Sequence, residues 1–530
     1  MLKTNLKVAS GTAASRVTGL IRVAVLGAVL GTPSAVADAY DLANGTPNMI
    51  YELLLGGVLS AALVPLFTDL RRQNDDEGTS AVLSVAGLIL VALTAVAVVA
   101  APFIFHMYSI LTSSSVDAGQ YRAVGTALAR IFLVQIFFYG INAFAAAALQ
   151  ASRRFTAAAW FPTLSNVVII GSLVLVPSVA HHRSPTLADV LHNTSLRWVL
   201  GWGATIGIAL MAIALVPLML SNGQRLRFRP DFRHPAVVRL RKASGWALGY
   251  VAANQVALVV VRNLLRGGGG DVFAYSRAFL WFMLPHALLA MSVTTTFLPN
   301  MTDIAATHDK ARITAATSTG VRMIALVTLP AGFGLFVLRR SLIGAVFEHG
   351  RASSADALQT SRALAGFALG LVGFSVYLFA LRVFYAHHDQ KKPFIINCFE
   401  NAINIVLGIV LSHYFGVLGL AASFAIAYLV SAAITLRVIA DVLRWRGLRD
   451  VYRSMSRMLL AAVVMAEVVW LVARLVGSNS GLGAMVRTLA GTVAGTVVYV
   501  VVLWLLGSSE LRMAVNQLPA RFVPRRLRAQ

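Results

Sequence analysis

Arginine side chains interrupt apolar stretches of this sequence that are otherwise long enough to cross a membrane. Arg16 and Arg22 lie in the first stretch, and Arg277 lies early in a later one. An ionisable side chain at membrane depth costs about 3 kcal/mol or more, so it usually faces a cavity or a partner. Because guanidinium groups bind phosphate oxygens bidentately, three converging arginines would form a binding site for a polyanion.

Acidic residues in the second apolar stretch allow another interpretation of the first two arginines. Asp38 or Glu52 could pair with Arg16 or Arg22 and lock two helices together. Arg16 and Arg22 are about 120° apart around a helix, so they could also line one broad cavity without facing the same point. The residue types therefore leave a cavity and a helix lock as alternatives.

A second polar set has the spacing of one helix face. Asn397, Glu400, Asn401 and Asn404 share a face of one predicted span, and Asn254 is available on another. Oxygen ligands of this kind could hold Na⁺, or the side chains could form hydrogen bonds between helices. The sequence thus offers a candidate Na⁺ site beside a purely structural alternative.

Catalytic motifs are absent from the sequence. It contains no Walker A, HExxH, CxxC or GxSxG pattern, so no catalytic residue and no metal ligand set is predicted. Neighbouring residues in His387-His388-Asp389 cannot place three ligands around one metal. We therefore expect a protein that is not an enzyme, has no bound cofactor, and draws on Na⁺ or the membrane potential if it needs a driving force.

Composition identifies the setting of these residues. The chain has 530 residues, of which 58% are hydrophobic and 12% charged, and Lys+Arg exceed Asp+Glu by 45 to 21. Soluble proteins carry about 25% charged residues. The apolar content excludes a disordered chain and argues against a nucleic-acid-binding module, and the single Cys398 excludes a disulfide scaffold. What remains is an all-α, multi-pass membrane protein.

About fourteen stretches have the length and composition of transmembrane helices. They lie near 9–30, 36–67, 81–107, 123–149, 157–179, 197–219, 243–264, 271–299, 316–338, 360–385, 394–413, 416–437, 457–476 and 486–507. With the N-terminus in the cytoplasm, most Lys and Arg residues fall in cytoplasmic segments, as the positive-inside rule requires. Both termini are therefore predicted to be cytoplasmic.

An internal repeat organises these spans. The segment that begins at Gly56 resembles the one that begins at Leu288, with matching Pro65 and Pro299 before a polar linker. Two repeats of six helices followed by two further helices would account for fourteen spans, and such duplication is common in secondary transporters. The alternative is that apolar helices resemble one another by composition. The predicted parts are an N-lobe at 1–220, a basic cytoplasmic linker at 221–242, a C-lobe at 243–443, a lipid-tail groove or anchor at 444–507 and a basic cytoplasmic tail at 508–530.

Helix breakers mark the second span as a hinge. Thr46-Pro47-Asn48 and Gly56-Gly57 interrupt it, and broken backbone at membrane depth is tolerated where protein or water satisfies the freed groups. The polar and hinge residues predicted there are Asn48, Tyr51, Glu52 and Gly56.

Several motifs together resemble the MurJ (MviN) family of lipid II flippases, in the multidrug/oligosaccharidyl-lipid/polysaccharide exporter superfamily. The resemblance covers essentially the whole chain. The matching residues are Ser15-Arg16-Val17, Gly19, Arg22, Asp38-Ala39, Pro47-Asn48, Arg154-Phe155, Phe161-Pro162-Thr163-Leu164, Asn166, Tyr275, Arg277, Phe347-Glu348-His349-Gly350-Arg351, Asp356-Ala357, Phe384-Tyr385-Ala386, Asp389 and Pro393. The chain departs from Gram-negative members at Tyr51-Glu52 and Gly56, where those members have an arginine pair and a nearby glutamate.

The resemblance implies that the protein moves an undecaprenyl-pyrophosphate-linked peptidoglycan precursor from the inner to the outer leaflet of the bacterial plasma membrane by alternating access. The cavity residues that it carries over are Ser15, Arg16, Arg22, Asp38 and Arg277. The implied partners are lipid II, membrane lipids and cell-wall synthesis proteins, with no nucleic acid. Two alternatives stay open, namely a flippase for another polyprenyl-linked glycan and a non-transporting membrane scaffold for cell-wall synthesis.

Overall fold

The structure, a computed structural model, describes residues 2–31, 34–55, 58–152, 154–181, 184–221, 226–243, 245–294, 297, 309–347, 354–387, 389–445 and 447–516. Nearly all of these residues are helical, and among them the β-type pairing is a single bridge between Thr112 and Gly267. The all-α fold predicted from the composition is confirmed. The chain forms two compact units, the first over Met1–Phe273 and the second over Ala274–His349 and Ser353–Gln530.

The helices that begin in the first unit follow the predicted spans. They are α1 (Leu2–Leu30), α2 (Ala35–Leu55), α3 (Val58–Arg72), α4 (Asp76–Val99), α5 (Ala101–Tyr108), α6 (Ala118–Phe132), α7 (Gln135–Ala151), α8 (Phe155–Val179), α9 (Leu187–His192), α10 (Thr194–Leu220), α11 (Pro235–Ala243), α12 (Gly245–Leu264) and α13 (Asp271–Pro285). Helix α8 packs against α1 and α10, while α7 packs against α3, α4 and α10. A Cβ at Gly11 would lie 2.5 Å from the Trp160 indole, so this glycine permits the close approach of α1 to α8.

The second unit is built around the helix Lys310–Phe347. After α13, a π-helical turn at His286–Ala290 is followed by α14 (Lys310–Phe347), α15 (Ser354–Ala368), α16 (Leu371–Ala386), α17 (Lys391–Leu443), α18 (Leu448–Leu475), α19 (Gly481–Leu505) and α20 (Ser509–Asn516). Helix α14 contacts α15, α16, α18 and α19, and α17 packs on α15 and α16. Edge-to-face aromatic pairs fill the interior, including Phe282 with Phe374 and Phe367 with Phe424.

Among the described residues, each of the fourteen stretches predicted as spans is mostly helical. Within the described ranges, ten helices are each long and apolar enough to cross a membrane, or eleven if the pair α15–α16, bent by 48°, counts as one. Helix α17 covers two predicted spans, because Gly416 adopts φ 56° and breaks the 53-residue element into two helices. Lobes of a repeat are defined by symmetry rather than by contacts, so the predicted lobe boundaries stay a prediction.

Candidate functional site

Helix α1, which carries Arg16 and Arg22, is hydrogen-bonded to α8. The Asn166 side-chain amide donates hydrogen bonds to the Ser15 carbonyl oxygen and to the Thr18 Oγ1, each at 3.1 Å. Arg16 is exposed and Arg22 is partly buried. Within the described part of the chain, no Asp or Glu oxygen lies within 4 Å of either guanidinium group. Ser15 thus anchors the helix through its backbone, while the neighbouring arginine stays accessible.

Asp38 is fully buried, and its carboxylate accepts hydrogen bonds from the backbone of a loop in the first unit. Oδ2 accepts hydrogen bonds from the backbone N–H groups of Gly268 at 2.9 Å and Gly270 at 2.8 Å, and Oδ1 accepts one from Phe273 at 2.9 Å. Both glycines have left-handed φ values, 100° and 90°, which favour glycine. The carboxylate therefore caps the start of α13, and its hydrogen bonds go to the backbone rather than to Arg16 or Arg22.

Asp41 has a cationic partner in the same unit. Arg262 Nη1, near the end of α12, lies 3.4 Å from Asp41 Oδ2, and both side chains are largely buried. The adjacent Asn263 fixes this end of α12, because its amide nitrogen donates to the Met107 carbonyl oxygen and its Oδ1 accepts from the Leu111 N–H. Sequence reasoning missed Arg262. The available signal was the acid itself, since an aspartate at membrane depth needs a partner.

Only some of the hinge residues predicted in the second span lie within the described residues. Asn48 is exposed, one residue after Pro47, which lies inside α2. The side chains of Tyr51 and Glu52, and Gly56 as a whole, lie outside the described residues. The proline removes a backbone donor from the interior of α2, which is the kind of break expected at a hinge.

The second unit holds Arg277 and the polar face of α17. Arg277 is 2% exposed in α13, so the structure brings two of the three predicted arginines together in one unit and places the third in the other. Their convergence stays a prediction. Asn254 belongs to the first unit, where its amide donates to the Tyr250 carbonyl oxygen within α12.

The four polar residues predicted to share one face of α17 are all buried. Asn397, Glu400, Asn401 and Asn404 are between 0% and 6% exposed. The Asn401 amide donates to the Asn397 carbonyl oxygen, and the Ser423 hydroxyl donates to Asn404 Oδ1 at 3.0 Å. Glu400 Oε2 has no hydrogen-bond partner among the described residues. No cluster of three or more His, Cys, Asp or Glu side chains suited to a metal occurs in the described ranges, so any cation here would be held mainly by amide oxygens.

An apolar groove of about 450 Å³ lies beside the last two predicted spans. It runs between α14, α18 and α19 and the turn that follows α13, and its walls include Trp281, Leu338 and Val469. Two glycines of α19 allow close packing along one wall of the groove. A Cβ at Gly491 would lie 2.8 Å from the Leu338 side chain, and a Cβ at Gly495 would lie 2.7 Å from the Val469 side chain. The dimensions and lining suit a hydrocarbon chain.

Comparison with known proteins agrees with this architecture. The family profile described as "Lipid II flippase MurJ" matches residues 26–491. The lipid II flippase MurJ of Burkholderia cenocepacia is 27% identical over 416 residues, covering 77% of each chain. The probable lipid II flippase MurJ of Vibrio cholerae is 24% identical over 487 residues, covering 90% of this chain and 86% of the relative.

Solved structures share the fold. The lipid II flippase MurJ in an inward closed conformation superposes with a TM-score of 0.75 at 21% identity, covering 94% of this chain and 99% of the other. An inward-facing multidrug transporter of the MATE family gives a TM-score of 0.63 at 13% identity, covering 81% of this chain and 94% of the other. Both are membrane transport proteins by name, and the family match agrees with the expectation that the protein is not an enzyme. The match over most of the chain shows that this multi-pass membrane protein belongs to the lipid II flippase MurJ family.

Proposed function

We propose that the protein is a lipid II flippase that carries the polyprenyl-pyrophosphate-linked peptidoglycan precursor across the bacterial plasma membrane, with both termini in the cytoplasm. The observation that carries this proposal is that the acidic side chains Asp38 and Asp41 of α2 have partners other than the arginines of α1. Asp38 is engaged by three backbone N–H groups and Asp41 by Arg262, so neither neutralises Arg16 or Arg22. An exposed and a partly buried arginine on one membrane helix, with no carboxylate within 4 Å among the described residues, suit an anionic headgroup.

The two parts of the substrate would bind at different places in the protein. The pyrophosphate would bind to Arg16, Arg22 and Arg277, while the polyprenyl tail would lie in the groove beside α18 and α19. Alternation of the two lobes around this site would expose the headgroup first to one side of the membrane and then to the other. An inside-negative potential favours outward movement of an anion, by about 2.3 kcal/mol per charge per 100 mV.

A cation could supply a further driving force. Hard cations bind oxygen ligands, and the buried face of α17 offers the Glu400 carboxylate beside three asparagine side chains. Na⁺ bound there would neutralise a carboxylate that is otherwise costly at membrane depth. The contribution of Asn254 to this site is part of the same proposal.

Transport can be tested by lipid II headgroup exposure in cells depleted of their own flippase and rescued with this gene. The native chain should restore exposure. Arg16→Gln and Arg22→Gln should each reduce it at least about tenfold, and the matched Arg→Lys variants should retain more, because they keep the charge. Arg130→Gln removes an exposed arginine of the same unit outside the predicted cavity and serves as the control.

The outcomes separate the alternatives. Failure of the native chain to restore lipid II exposure, although it is present in the membrane at normal levels, would favour the scaffold. Exposure of a different polyprenyl-linked glycan would indicate another substrate. If both glutamine variants support full exposure at native protein levels, the arginines do not bind the substrate.

A further inference from the structure

A notch opens in the second unit at the corner between α17 and α18. Two adjoining cavities, of about 370 and 420 Å³, share Arg437, Leu448 and Tyr452 as lining residues. They therefore form one continuous depression at the surface of the unit. It is separate from the groove between α14, α18 and α19, with which it shares no lining residue.

The local backbone holds this corner open. Helix α17 ends at Leu443, and Arg444 follows in the left-handed conformation with φ 54°. The Trp445 N–H donates to the Ala440 carbonyl oxygen at 2.8 Å, and α18 begins at Leu448. Because the corner joins two helices of membrane-spanning length, it lies at a membrane surface.

The notch changes from polar to apolar with depth. The cavity nearer the corner is lined by Arg437, Asp441, Trp445 and Arg449 in addition to apolar groups. The second cavity is reached one helical turn further into α17, where Ala433, Ile434 and Val438 form its wall. A charged compartment at the surface that continues into an apolar one has the shape of an amphiphile with its headgroup outward.

The charges of the notch favour an anion. Arg437 Nε lies 3.5 Å from Asp441 Oδ1, but both side chains are about two-thirds exposed or more, so this pair holds the arginine only weakly. Arg449 is exposed, and within the described residues no carboxylate lies within 4 Å of it. Two arginines against one aspartate leave one net positive charge. The surrounding stretch 437–457 carries six arginines and two aspartates.

We propose that this notch is a binding site for an anionic phospholipid that carries one phosphodiester and two acyl chains. The phosphodiester lies between Arg437 and Arg449, and one acyl chain follows Ala433, Ile434 and Val438. Trp445 lines the charged compartment and Tyr452 lines both compartments, and aromatic side chains of this kind are enriched at the membrane interface. Basic pockets between transmembrane helices are a recurrent form of phospholipid site.

The test is direct lipid binding to the purified, delipidated full-length chain in neutral detergent, followed by native mass spectrometry. Phosphatidylglycerol should bind at least about tenfold more tightly than phosphatidylcholine. Arg437→Gln/Arg449→Gln should weaken phosphatidylglycerol binding about 30-fold, since two surface cations are lost. Arg453→Gln/Arg457→Gln is the matched control, because it removes the same charge from exposed positions of the same cluster that do not line the notch.

A second variant tests the apolar compartment. Ala433→Trp projects from an exposed position of α17 and should fill the deeper cavity, which would weaken phosphatidylglycerol binding while an unchanged unfolding temperature shows that the fold survives. Soluble glycerol 3-phosphate should bind more than about 100-fold less tightly than phosphatidylglycerol.

Three results would overturn the proposal. Equal weakening by the control pair would mean a diffuse surface charge, and equal binding of glycerol 3-phosphate would mean an anion site without a lipid. Tighter binding of a polyglutamate peptide than of phosphatidylglycerol would assign the notch to an acidic protein partner. None of these measurements depends on transport, so failure here leaves the proposed flippase activity untouched.

Discussion

Two carboxylates, one in each unit, are buried in membrane helices and have opposite surroundings. Asp38 of α2 is 0% exposed and accepts three backbone hydrogen bonds, whereas Glu400 of α17 is 1% exposed and its Oε2 accepts none from the described residues. Equal burial therefore does not imply equal roles. The protein backbone supplies hydrogen bonds to both oxygens of the Asp38 carboxylate. Glu400 Oε2 has no partner among the described residues, and a bound cation or proton would supply one.

This difference separates a positioning residue from a ligand candidate. Asp38 holds the loop 266–270 and the start of α13, and its substitution should damage the fold. Glu400 Oε2 has no hydrogen-bond partner among the described residues, so substitution of Glu400 by the isosteric amide should damage the response to cations but preserve the fold.

Asp38→Ala should produce the largest loss of stability. It leaves three buried N–H groups without an acceptor, and each costs about 1–3 kcal/mol. The unfolding temperature of the purified chain should fall sharply. Asp117→Ala is the matched control, because Asp117 is an exposed N-cap that accepts from the Gln120 N–H at 2.6 Å, and its loss costs about 1 kcal/mol. An equal decrease in both variants would show that the Asp38 hydrogen bonds add nothing beyond an ordinary cap.

Glu400→Gln should have a smaller effect on the fold and a specific effect on ion dependence. If α17 binds Na⁺, NaCl should raise the unfolding temperature of the native chain above its value in choline chloride, by mass action. The amide removes the charge that attracts the ion, so the variant should unfold at the same temperature in both salts. Asn254→Ala and Asn404→Ala then show whether either asparagine takes part. A native chain that responds identically to both salts would remove the Na⁺ hypothesis.

The comparison also shows what the sequence could and could not predict. Spans were predictable because hydrophobic length is a local property, and the described residues of every predicted stretch are mostly helical. The partners of Asp38 were not, since backbone N–H groups more than 200 residues away carry no residue-type signal. Arg262 was missed because it lies near the end of its helix, where cations are ordinary. Residue type indicates which side chains need a partner at membrane depth, whereas the path of the chain determines what each one contacts.

Glu510 provides the smallest and most specific comparison, because it is a buried carboxylate outside the membrane spans with a full set of partners. Burial raises its pKa, but hydrogen bonds from Ser454 and Ser508 and the charge of Arg322, whose Nη1 lies 3.2 Å from Oε1, outweigh burial and hold the pKa below its ordinary range. A lowered folded-state pKa means that the stabilisation is complete above the unfolded value of about 4.3 and disappears as the pH falls through the folded value. Unfolding temperatures between pH 7 and pH 3 should therefore fall more steeply for the native chain than for Glu510→Gln. Asp441→Asn, which removes an exposed carboxylate, should follow the native curve. Parallel curves for the native chain and Glu510→Gln would show that this contact does not hold α20 against α14 and α18.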